Sequence, residues 1–218
     1  VKTLRTLAWC WWLGLVAALL PCAAAAAPPV ATVATVTALV GSVAIQSADG
    51  AQRLAAVGGE IRNGDTVETS AGAEIVMIFT DHQRVYLKPG TVFRVDDFNY
   101  AANDAKQSRS FLSLVKGGLR VLDGLVASEG KGENYKVKTP TSTIGIRGTE
   151  YSVTDCGENA ACQGDQIVVF AGEIVVSNEV EIRVVRAGEG VIIASLRAPL
   201  RVLPASRVTP VVPSAACR

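Results

Sequence analysis

The stretch that most constrains the fold of this chain is Tyr135 to Val153, YKVKTPTSTIGIRGTEYSV. Tyr135, Val137 and Thr139 alternate with Lys136 and Lys138 until Pro140, which has no amide hydrogen to give to a ladder and so ends the strand. A second run begins at Thr143, with Ile144 and Ile146 on one face and Gly145 and Arg147 on the other. Gly148 interrupts it before Glu150 to Val153 resume the alternation, which predicts a bulge inside a β-hairpin-like unit.

The same grammar runs through the chain from Val33. Short runs rich in valine, isoleucine and threonine are punctuated at Gly41, Asp49-Gly50, Gly58-Gly59, Asn63-Gly64, Gly72, Asp81-His82 and Pro89-Gly90. Turn signals at that density predict an all-β domain, sandwich, barrel or solenoid. Glu74 to Phe79 is apolar at nearly every position, which predicts a strand covered on both faces. Polar Asp96 to Arg109 reads as a loop or short crossover, and Phe111 to Leu122 as two strands about Gly117-Gly118. Ser128 to Asn134, SEGKGEN, reads as a solvated loop, because its acids match no calcium-loop spacing. Gly172-Glu173 and Gly188-Glu189 each read as a turn that opens a strand.

These motifs carry a family resemblance. The run T-P-x-x-x-I-G-I-R-G-T-E-Y-x-V resembles the signature of the FecR-like periplasmic domain. So do Asn63 to Thr69 with Ala73 to Phe79 and Val85 to Thr91 upstream, and Val168 to Val176 downstream. The positions that carry the likeness are Gly64, Asp65, Thr69, Asp81, Thr139, Pro140, Gly145, Arg147, Gly148, Thr149 and Gly172. It implies an all-β, twisted solenoid-like single domain, placed at 33–196, which puts that form ahead of the sandwich-like one. It also implies a sensor or adaptor in cell-envelope signalling that acts by binding a protein or ligand. The chain departs from the family at Asp81-His82-Gln83, where Asp-Gly-Ser is usual, so His82 is expected in a backbone conformation that glycine enters more readily.

Lys2 and Arg5 before the apolar run Leu7–Leu20, then the small residues Ala23–Ala27, read as a signal peptide over 1–26, cut after Ala25 or Ala26. The rival readings are an uncleaved anchor and a lipoprotein through Cys22, whose preceding Pro21 is not the small residue that lipidation expects. Cleavage implies a periplasmic protein with no cytoplasmic region of its own. Loss of two cations takes the formal charge from +1 to −1, which argues against nucleic acid as the partner. The residues from 197 to 218 hold four arginines, four prolines and no acid, a composition that predicts a flexible tail able to touch an acidic partner or lipid headgroups.

In an oxidising compartment Cys156 and Cys162, flanking GENAA, are expected to form a disulfide rather than a metal or redox pair. Cys217 is then left over, free to link two copies. No catalytic constellation is expected, nor a cofactor or metal. His82 is the only imidazole and falls in a turn, and Asp96 and Asp97 are neighbours on opposite faces of any strand. Gly145 to Thr149 lacks the following helix of a phosphate cradle, and Arg147 is expected to pair with an acid such as Asp65 or Glu150, or to bond loop carbonyls. The competing reading is a glycan-binding β-platform that would use Tyr86, Phe93, Phe98, Tyr100, Tyr135 or Tyr151, although Tyr86, Phe93 and Tyr151 suit a core equally well.

Overall fold

The structure, a computed structural model, describes residues 31–129, 134–157, 162 and 164–218. The expected leader, with Cys10 and Cys22, lies outside the described residues, as do positions 130–133 of the SEGKGEN loop and the side chain of Arg147.

The strands, in chain order, are β1 (Thr32–Val40), β2 (Val43–Gln46), β3 (Gln52–Leu54), β4 (Glu60–Arg62), β5 (Thr66–Thr69), β6 (Glu74–Phe79), β7 (Arg84–Leu87) and β8 (Val92–Asn99). Then come β9 (Arg109–Leu122), the short helix α1 (Leu125–Glu129), β10 (Tyr135–Lys138), β11 (Thr143–Asp155), β12 (Asp165–Ser177), β13 (Ile182–Arg186), β14 (Glu189–Ile193) and β15 (Arg201–Pro204). All fifteen join one sheet. The long strands β9, β11 and β12 fold it over, because each changes neighbours part-way along. β9 pairs with β8 and β10 in its first half and with β7 and β11 in its second. β11 passes from β10 to β9, and β12 from β14 to β13.

Two wings result. The first runs β4-β1-β6-β7-β9-β11-β12-β14-β15, and the second β3-β2-β5-β8-β9-β10-β11-β12-β13. They face each other across one core. Phe79 on β6 meets Phe98 on β8 with ring centroids 4.9 Å apart, and the inward residues of both wings form a single buried cluster. The fold is all-β, as expected, and it takes the sandwich-like form. Its pairings are antiparallel apart from β9 with β10, whereas a solenoid stacks its strands in parallel.

The bends fall where the chain can approach itself most closely. On β12, Gly172 has φ +72°, and a Cβ there would sit 2.1 Å from the carbonyl oxygen of Gly148 at the β11 bulge. Any larger residue would force the two strands apart. The bulge predicted at Gly148 is present, with the β11–β12 register shifting between Arg147 and Glu150. Gly172 opens no turn, however, but lies inside a thirteen-residue strand, whereas Gly188 does stand between β13 and β14. Gly117-Gly118 is likewise no turn. β9 continues through it, and Gly117, at φ +92°, leaves room for Thr91, whose hydroxyl bonds both the N–H and the C=O of Gly118 at 3.0 Å.

Two further expectations are corrected. Asp96 to Asn99 belong to β8, so the polar loop shrinks to 100–108, closed by Ser108, whose hydroxyl accepts from the Ala101 N–H at 3.0 Å. The residues from 197 to 218 are no free tail. β15 pairs with β14, and beyond it Val208, Val211 and Cys217 are buried against the outside of the first wing. The apolar residues of this strap do the covering. Val211 and Cys217 join Val76 and Tyr86 in a second cluster on the side of β6 and β7 opposite the main core. Glu74 to Phe79 is thus covered by the core on its inner face, but on its outer face the strap covers Val76 while Ile78 stands 38% exposed, so the expected cover on both faces is only partial.

Candidate functional site

At the seam between the wings lies a buried polar network built on the Asp81-His82-Gln83 turn. His82 takes φ 69°, the left-handed conformation expected of it, and its side chain is exposed. Its neighbours turn inward. The Asp81 carboxylate accepts from the Gln83 N–H at 3.0 Å and the Val126 N–H at 3.2 Å. Gln83 donates through Nε2 to the Tyr135 hydroxyl at 3.1 Å and accepts at Oε1 from Ser110 at 3.3 Å. Tyr135 and Tyr151 then bring their hydroxyls to 3.3 Å, joining β10 to β11. Burial raises Asp81 above the usual carboxylate range and pushes both tyrosines up. Asp123, whose carboxylate accepts from the Gly124 N–H at 2.7 Å, is pushed by burial, with a contribution from the Asp81 charge, to about 6.

A second knot fastens the Thr139-Pro140-Thr141-Ser142 turn. Asp165, at the start of β12, accepts at Oδ2 from the hydroxyls of Thr139, Thr141 and Ser142. Burial raises this acid too. Pro140 supplies the fixed φ of that turn without an amide needing a partner. In the N-terminal half, Asp65 accepts from Arg53 at 2.5 Å and from the Arg62 N–H at 2.9 Å, and Thr69 donates to the Lys88 carbonyl at 2.7 Å. Thr149 donates to the Glu173 carbonyl at 2.8 Å, across the β11 bulge. The signature polar residues thus tie turns to strands and hold one wing to the other.

A sequence model of the FecR protein family matches residues 65–175, just over half of the chain. The chain belongs to the FecR family. The match spans Asp65, the seam and the three bent strands, the last of them up to Val175. No curated protein matches the chain. Two crystal structures of a candidate anti-sigma factor from Parabacteroides distasonis, at 1.65 and 2.50 Å resolution, superpose on this FecR domain with a TM-score of 0.50 at 14% identity. The superposition covers 64% of this chain and 59% of theirs, so the chain spans about three fifths of the length of the relatives it matches. At that identity the likeness speaks for the fold.

Of the two acids named for Arg147, whose side chain lies outside the described residues, each holds another arginine in this FecR domain. Asp65 pairs with Arg53, and Glu150 takes Arg120 at 2.7 Å, whose guanidinium also lies 4.0 Å from the Phe170 ring. Cys156 and Cys162 are joined in a disulfide, with Cα atoms 5.4 Å apart. Cys217, expected to be free to link two copies, is fully buried where the end of the strap packs on the first wing. Asp96 and Asp97 separate onto their own arginines, Arg94 and Arg109. Of the aromatics proposed for a glycan face, Tyr86, Phe93, Phe98, Tyr135 and Tyr151 are buried, and Tyr100 packs against the core cluster.

The open surface of the domain is the outside of the second wing. One row across it reads Ile182, Ser177, Thr143, Lys138, Ser113, Arg94, Thr66 and Gln46. At one end β13 pairs with β12 alone, and Ile182 and Val184 stand 69% and 43% exposed. Near the middle, Phe111 also faces outward, because Leu112 and Leu114 on β9 are buried. The run Phe-Leu-Ser-Leu-Val conceals that orientation, since apolar residues occupy both parities.

Proposed function

We propose that this FecR-family domain is a non-enzymatic signalling regulator of the periplasmic side of the cell envelope, a sensor or adaptor that works by binding another protein. Family membership supports the regulatory role. The observation that carries the reading is the inward use of the signature: Asp65, Thr69, Asp81, Thr139 and Thr149 are all bonded to their own chain. Contact with a partner is left to the open wing. The β13 edge suits an added strand, with backbone groups facing away from β12 and Ile182 and Val184 alternating beside them.

The test is photocrosslinking in intact cells from an unnatural residue at Val184, with Val76 as the buried control, followed by mass spectrometry. The reading requires a defined membrane or envelope signalling protein attached at Val184 and absent from the control. If nothing attaches at Val184 while activity of the pathway persists, the β13 edge is not the contact.

A further inference from the structure

A cavity of about 440 Å³ lies on the open face, in the interior of the second wing and away from its edges. Phe111 and Ser113 of β9 form its floor. Lys136 and Lys138 of β10 stand opposite them on one side, Arg94 and Asp96 of β8 on the other. The charges are not evenly matched. Asp96 is engaged by Arg94 at 2.5 Å and by the Ser113 hydroxyl at 2.5 Å, whereas Lys138 has no acidic partner among the described residues and the Lys136 ammonium lies 5.7 Å over the Phe111 ring.

We propose that this face binds an acidic saccharide, with a sugar ring on Phe111 as the flexible Lys136 side chain swings from over that ring to join Lys138 on the carboxylate or phosphate. An aromatic face presents a flat apolar surface to the C–H side of a sugar, and neighbouring cations supply the charge that selects an anionic one. Asp96 and Ser113 add an acceptor and a hydroxyl within reach of sugar hydroxyls. The geometry favours a saccharide over an acidic peptide, because the backbone groups of β8, β9 and β10 are engaged in ladders here and no peptide strand can be added. This site is separate from the β13 edge and stands independently of it.

Isothermal titration of the purified protein with trigalacturonate tests the proposal, with maltotriose as the neutral sugar, triglutamate as the peptide and tripolyphosphate as the bare polyanion. Saturable binding of trigalacturonate alone is expected. Phe111→Ala and Lys138→Gln should each weaken it at least about tenfold. Lys138 is exposed, so its variant keeps the test valid should Phe111→Ala disturb the fold. Absence of binding, equal binding of triglutamate or tripolyphosphate, or binding that survives Lys138→Gln would overturn the assignment.

Discussion

The outer faces of the two wings are built on the same bent strands and end differently. Across the first wing one row reads Leu203, Gly190, Val168, Ser152, Arg120, Tyr86, Val76 and Ala38. The strap from Val208 to Cys217 crosses that row. The Val211 N–H donates to Ser152 at 3.2 Å, Ser214 donates to Glu74 at 2.7 Å, and Arg84 donates to the Cys217 carbonyl at 3.0 Å. The equivalent row on the second wing carries threonine, serine, glutamine, lysine and arginine at most positions, and no segment among the described residues crosses it. An apolar outer face is covered by its own chain, whereas a polar one is left open, so side-chain choice on the outward parity decides which half of the molecule meets a partner.

The sharpest way to break that contrast is to place the same charge on both faces. Val76→Asp puts an unpaired carboxylate beneath the strap at a site 1% exposed, and should cost about 4 kcal/mol in denaturant unfolding. Val175→Asp, on the second wing at 44% exposure, should cost under about 0.5 kcal/mol. Similar losses from the two would mean that the second face is covered in solution as well.

Truncation after Arg207 removes the strap itself. Val208, Val211 and Cys217 would contribute about 5 kcal/mol by burial alone, but ordering the strap opposes this, so a net loss of about 2 kcal/mol is expected in urea melts. An unchanged midpoint would show that the strap rests on the sheet without stabilising it. A gentler version keeps the chain whole. Cys217, buried and with its thiol pushed up by burial and by Glu74, should resist maleimide, and Glu74→Ala, which removes the acceptor of Ser214, should speed its labelling several-fold. Labelling as fast in the native protein as in unfolded chain would mean the thiol is not held there.

Alternation made the all-β class, the hairpin of Tyr135 to Lys138 with Thr143, and the bulge at Gly148 legible in the sequence. A period of two is the direct imprint of a strand with one buried face. The motif at Asp81-His82-Gln83 was also legible as a strained turn, because a histidine stood where the family places glycine. The strap was not. Its prolines and arginines resemble those of a disordered end, and only the partner surface, Val76 and Tyr86 on the outward parity, shows why Val211 and Cys217 bury. The candidate saccharide site was half legible. Lys136 and Lys138 alternate visibly, but Phe111 sits among leucines, and its facing depends on a register that the bulges in the β8–β9 pairing reset.

The seam belongs to neither face, and its acids give the smallest and most specific effect. Asp123 titrates at about 6 in the fold, against about 4 in an unfolded chain. Below pH 4 both states hold the proton. As pH rises from 4 to 6 the unfolded chain releases it first, so stability falls across that window and levels off above it. Asp81, also raised by burial, acts with the same sign. Asp123→Asn keeps an oxygen for the Gly124 N–H but carries no charge, so its melting temperature should pull ahead of the parent's between pH 4 and 6. The gain should be about 1 kcal/mol at pH 7, a shift of this kind being partly screened at a half-buried group. Because Asp123 reaches neither outer face, the variant should leave photocrosslinking at Val184 and saccharide binding at Phe111 unchanged. Parallel pH profiles for parent and variant would mean that Asp123 is solvated in the fold. A variant that lost either binding event would mean that the seam governs how the open wing is presented.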